Sequence, residues 1–84
     1  GSVPTGTKVM CAAAGQQFSV LLELGGKDAA IVAADADIER AARGIVWGAT
    51  FNSGQVCASV ERVYVERPVA KKFIAQCLEN IKKI

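Results

Sequence analysis

The chain has 84 residues and a mass of 8.8 kDa, which allows one small domain with a thin margin of stability. Hydrophobic residues make up 51% and charged residues 21%, a globular rather than a disordered composition. Ten scattered basic and eight acidic residues give a net charge of +2, too weak for a dedicated nucleic-acid binder, and no apolar run approaches the ~18 residues of a membrane span.

The spacing predicts a capped helix first. Ser2 is placed to cap it, and Pro4 falls in the first turn, where a missing N–H costs nothing. Val9, Met10 and Ala13 give a narrow apolar stripe, and Gly15 ends the helix. Ser19 to Leu24 reads as a short buried strand stopped by Gly25-Gly26. Ala29 to Ala33 reads as a second strand. Asp35 or Asp37 then caps an amphipathic helix. In it Ile38, Ala41, Ala42, Ile45, Val46 and Ala49 share one face, with Glu39, Arg40 and Arg43 opposite. Phe51 to Gln55 breaks that pattern as a turn or loop before Cys57. Val60 to Glu66 alternates like a strand with a wet face. Pro68 opens a last helix with Val69, Phe73, Cys77 and Ile81 on its apolar stripe and Glu79 four residues before Lys83. Trp47, Phe51 and Phe73 are expected in the core. The order helix, strand, strand, helix, strand, helix predicts an α/β class, and three strands cut from a sheet suggest a slice through a larger fold.

Several residues could carry chemistry. Gly1-x-x-x-x-Gly6-Thr7-Lys8 imitates a phosphate-binding loop, but Thr and Lys stand in reversed order and no strand precedes them, so that assignment is rejected. A helix start with Gly and Ser can still hold a phosphate through its N–H groups, or simply be a capped helix. Glu23 sits in the apolar run Leu21-Leu22-Glu23-Leu24. Buried, it would suit general-base work; at a strand edge, it would face water. Lys27 and Asp28 read as solvated loop charges. The three cysteines, Cys11, Cys57 and Cys77, cannot all pair, there is no C-x-x-C and there is no histidine. These facts exclude an ordinary zinc site and any Cys-His pair within the chain, argue against a secreted disulfide scaffold, and lead to the expectation of a reduced, cytoplasmic setting without metal. The opening residues lack the charged and apolar regions of a secretory signal. Cys11 and Cys77 fall within predicted helices as small apolar residues. Cys57 follows a glycine-containing loop, where backbone N–H groups could favour its thiolate.

Glu23-Leu24-Gly25-Gly26-Lys27 and Phe51-Asn52-Ser53-Gly54-Gln55-Val56-Cys57, with 34 positions from Glu23 to Cys57, together resemble the aldehyde dehydrogenase superfamily. Gly1-Ser2-Val3-Pro4-Thr5-Gly6 is similar to that family's turn into a cofactor-site helix, and Glu61 to Val65 resembles the strand after its nucleophile. The resemblance covers essentially the whole chain. It implies a partial aldehyde-dehydrogenase-like fold, with residues 1–24 from the end of a Rossmann-type cofactor domain and residues 25–84 from the start of the catalytic domain. It implies an oxidoreductase that converts an aldehyde to a carboxylic acid with NAD or NADP. In that scheme Cys57 is the nucleophile and Glu23 activates water. Ser2 contacts the cofactor pyrophosphate, and Leu24 and Gly25 lie under the nicotinamide, with the two glycines permitting close approach.

Members of the family are several times longer. The side-chain amide of the oxyanion hole, the residues gripping both ribose groups and the oligomerisation segment have no counterpart here. The chain is therefore expected to be a fragment that is inactive in isolation and self-associating, cut from a homo-oligomeric parent acting on a small aldehyde, with no nucleic-acid or membrane partner. Two other readings differ in class. One is a short binding or assembly module. The other is a thiol-reactive protein with esterase-like use of Cys57.

Overall fold

The computed structural model describes residues 1–84. Helix α1 spans Val3–Ala14, strand β1 Asp28–Val32, helix α2 Ile38–Thr50, strand β2 Val60–Val65 and helix α3 Ala70–Ile81. β1 and β2 pair in parallel as a two-stranded sheet, which requires a crossover connection, here supplied by α2. The β1–α2–β2 unit bears out the α/β expectation.

Local chemistry explains the helices. Ser2 caps α1 by accepting from the Thr5 N–H, and Pro4 lies in the first turn. Asp37, not Asp35, caps α2 by accepting from the Arg40 N–H at 3.1 Å. The predicted α2 stripe is observed, with Ile38, Ala42 and Val46 buried. Val32 at the end of β1, Ile38 and Ala42 of α2 and Phe73 of α3 form the core, against which Ala41, Ile45, Val65, Val69 and Cys77 pack. Such a small centre follows from length: one strand pair and two helices enclose little volume.

The structure corrects several expectations. Ser19 to Leu24 forms no strand. An apolar run holds as a strand only with a neighbour to pair with, and this segment pairs with neither strand of the sheet. Leu21 is consequently 89% exposed. Gly15 ends α1 in right-handed geometry, and Gln17 supplies the left-handed residue at φ 56°. Pro68 lies in a single 3-10 turn, Arg67–Val69, and α3 begins after it. Glu79 pairs with Lys82 at 2.8 Å rather than with Lys83. Phe73 is core as expected, but Trp47 is 64% exposed and stacks on the exposed Phe51, ring centroids 5.0 Å apart.

The molecule measures 55 × 25 × 16 Å, with a radius of gyration of 18.0 Å. A compact chain of this length would have about 12 Å. The length comes from α1, which stands away from the α2–α3 body and rests on Leu22 and Leu24. A Cβ on the buried Gly6 would lie 2.9 Å from Leu24 Cδ2 and 3.3 Å from Leu22 Cδ1. Only a residue without a side chain lets α1 lie that close.

Phe73→Ala should cost about 3–5 kcal/mol, the usual range for emptying a core aromatic site. Ile74→Ala, on the exposed side of the same helix, should cost under about 1 kcal/mol. Urea unfolding of the chain measures both; equal costs would contradict this assignment of the core.

Candidate functional site

Parallel pairing decides which residues meet. The registers Asp28↔Val60 and Ala29↔Arg62 set the starts of β1 and β2 side by side, with an irregularity that leaves Glu61 without a partner. The segment before β1 is Glu23 to Lys27, and the segment before β2 contains Cys57. The topology thus carries the glutamate motif and the cysteine motif to one edge of the sheet.

Three contacts join the segments there. A Cβ on Gly26 would lie 2.8 Å from the Cys57 carbonyl oxygen and 3.1 Å from Asp28 Oδ1, so the segment that follows Glu23 passes directly over the cysteine backbone. Lys27 Nζ forms an ion pair with Glu61. Arg62 Nη2 donates to the Lys27 carbonyl at 2.6 Å. The ion pair is exposed and contributes little stability by itself, but it spans the two segments. Lys27 is a solvated loop charge, as expected from sequence, and it is paired.

Cys57 lies in a turn closed by the Ser59 N–H donating to the Val56 carbonyl at 3.0 Å. Its side chain is exposed. No protein acceptor takes the Cys57 N–H, so this donor is available beside the thiol. Before the turn, Asn52, Ser53 and Gly54 take left-handed conformations in succession, with φ of 51°, 58° and 75°. Asparagine and glycine tolerate this region, whereas serine is strained there. Asn52 Nδ2 stabilises the bend by donating to the Gln55 carbonyl at 3.2 Å. A Cβ at Gly54 would sit 3.1 Å from the Ala49 carbonyl. The predicted turn is present, and its left-handedness turns the chain sharply off the end of α2.

Glu23 is exposed rather than buried in a strand, which resolves the two readings of that residue in favour of solvent access. Its carbonyl accepts from the Gly1 nitrogen at 2.9 Å. This bond and the seat of Gly6 on Leu24 bring the start of α1 to the glutamate segment. Ser2 Oγ accepts from the Thr5 N–H and shares a hydrogen bond with Thr5 Oγ1 at 3.0 Å, and the Val3 N–H has no acceptor. Leu24 is half-buried. A Cβ on Gly25 would meet nothing within 4 Å.

The two adjacent glycines therefore differ. Gly26 is required by the Cys57 backbone, and Gly25 faces open space. Sequence reasoning assigned both to one purpose; a paired glycine after an apolar run signals close approach without saying to what. The Gly26–Cys57 contact, the Lys27–Glu61 pair and the Arg62 bond were not foreseen, because each joins residues more than thirty positions apart.

A free N–H at a helix start, next to an open glycine surface, fits a dinucleotide bearing an anionic pyrophosphate and a flat ring. No three Cys, Asp or Glu side chains lie where they could hold a metal ion, and no helix is long and apolar enough to cross a membrane. Burial against the core pushes the Cys77 thiol pKa up.

A parallel βαβ unit thus carries a solvent-facing cysteine and a solvent-facing glutamate on the segments entering its two strands. The aldehyde dehydrogenase family profile matches residues 1–84, and the chain belongs to that family. It is 48% identical over its full length to the 4,4'-diapolycopene aldehyde oxidase of a Methylomonas species and covers 16% of that protein. It is 52% identical over 83 residues, 99% of the chain, to a betaine aldehyde dehydrogenase of Agrobacterium fabrum, again covering 16%. It superposes on an NAD-dependent aldehyde dehydrogenase from Sinorhizobium meliloti with a TM-score of 0.90 and 41% identity, covering 99% of this chain and 16% of that one. The chain thus spans about a sixth of the length of the relatives it matches.

Gly26→Ala should cost about 1–3 kcal/mol, because a backbone carbonyl must move to admit the methyl group. Gly25→Ala should change stability by less than about 1 kcal/mol. Thermal unfolding of both variants checks this; matching losses would show that the Gly26–Cys57 approach is not tight.

Proposed function

We propose that this chain is the nucleophile-and-base segment of an NAD(P)-dependent aldehyde dehydrogenase that oxidises a small aldehyde to its carboxylic acid. The observation that carries this reading is the convergence of Cys57 and the Glu23 segment at one edge of the sheet, joined through Gly26. Membership of the aldehyde dehydrogenase family supports an oxidoreductase reading.

The Cys57 thiolate adds to the aldehyde carbon and forms a carbon–sulfur bond. The carbonyl oxygen becomes an oxyanion, and the unpaired Cys57 N–H is positioned to donate to it. Ser2 and the free Val3 N–H at the start of α1, with Leu24 and Gly25, would hold the dinucleotide. When bound, its nicotinamide supplies the two-electron acceptor for the hydride leaving that carbon. Cys57 then bears a thioester. Glu23 takes a proton from water, the hydroxide adds to the thioester carbon, and the carbon–sulfur bond breaks. The products are the carboxylate and the regenerated Cys57 thiolate.

The same reading assigns residues 1–24 to the cofactor-binding domain and residues 25–84 to the catalytic domain. The separation of α1 from the α2–α3 body supports it. The remaining enzyme would cover the bare apolar side chains Phe18, Leu21, Ile31 and Trp47, and an intact structure with these still in solvent would contradict that assignment. The name of one relative points to betaine aldehyde as an example of such a small aldehyde.

In the intact enzyme Cys57→Ser should lower aldehyde oxidation by at least ~10³-fold. Glu23→Gln should slow steady-state turnover by ~10²–10⁴-fold while leaving the first-turnover burst of reduced cofactor. Stopped-flow absorbance separates the two phases. A Glu23→Gln enzyme without a burst would show that Glu23 acts before thioester formation.

A further inference from the structure

Ser59 is the one polar side chain buried in this molecule, 3% exposed, and it belongs to no part of the reaction described above. It stands two residues after Cys57. Its N–H closes the Cys57 turn on the Val56 carbonyl at 3.0 Å. Its Oγ lies 3.4 Å from the Gly48 carbonyl and 3.4 Å from the Ala49 carbonyl, both in the last turn of α2. The hydroxyl has one hydrogen to share between two acceptors, so it donates to one carbonyl or the other. These half-buried carbonyls belong to the helix end whose oxygens lack intrahelical donors, and the hydroxyl offers them one.

The surroundings are built for close approach. A Cβ on Gly48 would meet Val60 Cγ2 at 3.3 Å, and one on Gly54 would meet the Ala49 carbonyl at 3.1 Å and Ser59 Oγ at 4.0 Å. The end of α2, the left-handed turn and the start of β2 therefore converge around Ser59. Cys57 stands between two fixed points: the left-handed turn before it and Ser59 after it. Gly26 presses on its carbonyl from the other side.

We propose that Ser59 is a positioning residue for the nucleophile, acting through the Val56–Ser59 turn to hold the Cys57 N–H and Sγ at a fixed height above the end of α2. This rests on the assignment of Cys57 as the nucleophile. A hydroxyl suits the role because it is small enough for the gap and carries a donor for carbonyls that have none. Alanine would fill the gap and leave the turn free to tilt. A shift of about 1 Å in a reacting group costs up to ~10²-fold, and loss of this anchor falls within that range.

The test compares Ser59→Ala and Ser59→Thr with the parent sequence in the intact enzyme. It reads the rate of Cys57 alkylation by iodoacetamide across pH, by peptide mass spectrometry, together with kcat and KM. Cys11 in the same digest serves as the internal control. Ser59→Ala should slow both Cys57 alkylation and kcat by ~10-fold or more, change the pH profile of Cys57 alone and leave KM for the cofactor within ~2-fold. Ser59→Thr, which keeps the hydroxyl, should recover most of the loss.

A Cys57 rate and kcat unchanged in Ser59→Ala would overturn the inference. A Ser59→Ala protein that does not fold, whether or not Ser59→Thr does, would also overturn it, because the hydroxyl would then serve the fold rather than the turn. Failure of the underlying assignment looks different: Cys57→Ser would retain full aldehyde oxidation whatever Ser59 does.

Discussion

The approach of Gly26 to the Cys57 carbonyl is the constraint on which the site depends. At 2.8 Å from that oxygen there is no room for a Cβ, so the glutamate-bearing segment must run over the cysteine turn with bare backbone. The parallel register beginning at Asp28 and Val60 fixes the height at which the two segments cross. Lys27, Glu61 and Arg62 then link them sideways. None of these polar links is buried, and their value lies in geometry rather than in free energy. The free energy comes from Val32, Ile38, Ala42 and Phe73, which join the end of β1 to α2 and α3. Core and site are thus separate parts of one βαβ unit, with the thiol carried on loops placed by a rigid scaffold.

The same division explains the conformational strain. Three left-handed residues in succession, two of them not glycine, are an expensive way to leave a helix. They persist because the chain is held on both sides: by α2 and Trp47 stacking on Phe51 before the bend, and by the Ser59 anchor after it. The bend releases the chain from the helix axis and presents Cys57 outward, where a small electrophile can reach it.

Much of the fold was legible in the sequence because its signals are local. The Asp37 cap, the α2 stripe and the Ser2–Pro4 helix start each lie within one or two turns of chain, and periodicity reports them directly. Ser19 to Leu24 misled because an apolar run says that burial is wanted, not that a partner strand is at hand. Trp47 and Phe51 misled for the same reason. At the site, Cys57 and Glu23 could be named from their motifs. Their meeting could not, since it is set by the β1–β2 register and by a glycine whose contact lies 31 residues away. Ser59 gave no signal: a serine beside a strand start is ordinarily a turn residue, and only its burial distinguishes it.

The central claim is that Cys57 carries the substrate through the reaction. Rapid acid quench of the intact enzyme turning over an aldehyde with oxidised cofactor, followed by peptide mass mapping, tests it most directly. The account predicts an acyl group of the substrate's mass on the Cys57 peptide, accumulating further when Glu23 is replaced by glutamine. Acylation of Cys11 or Cys77 instead, or full turnover with Cys57 never modified, would contradict it.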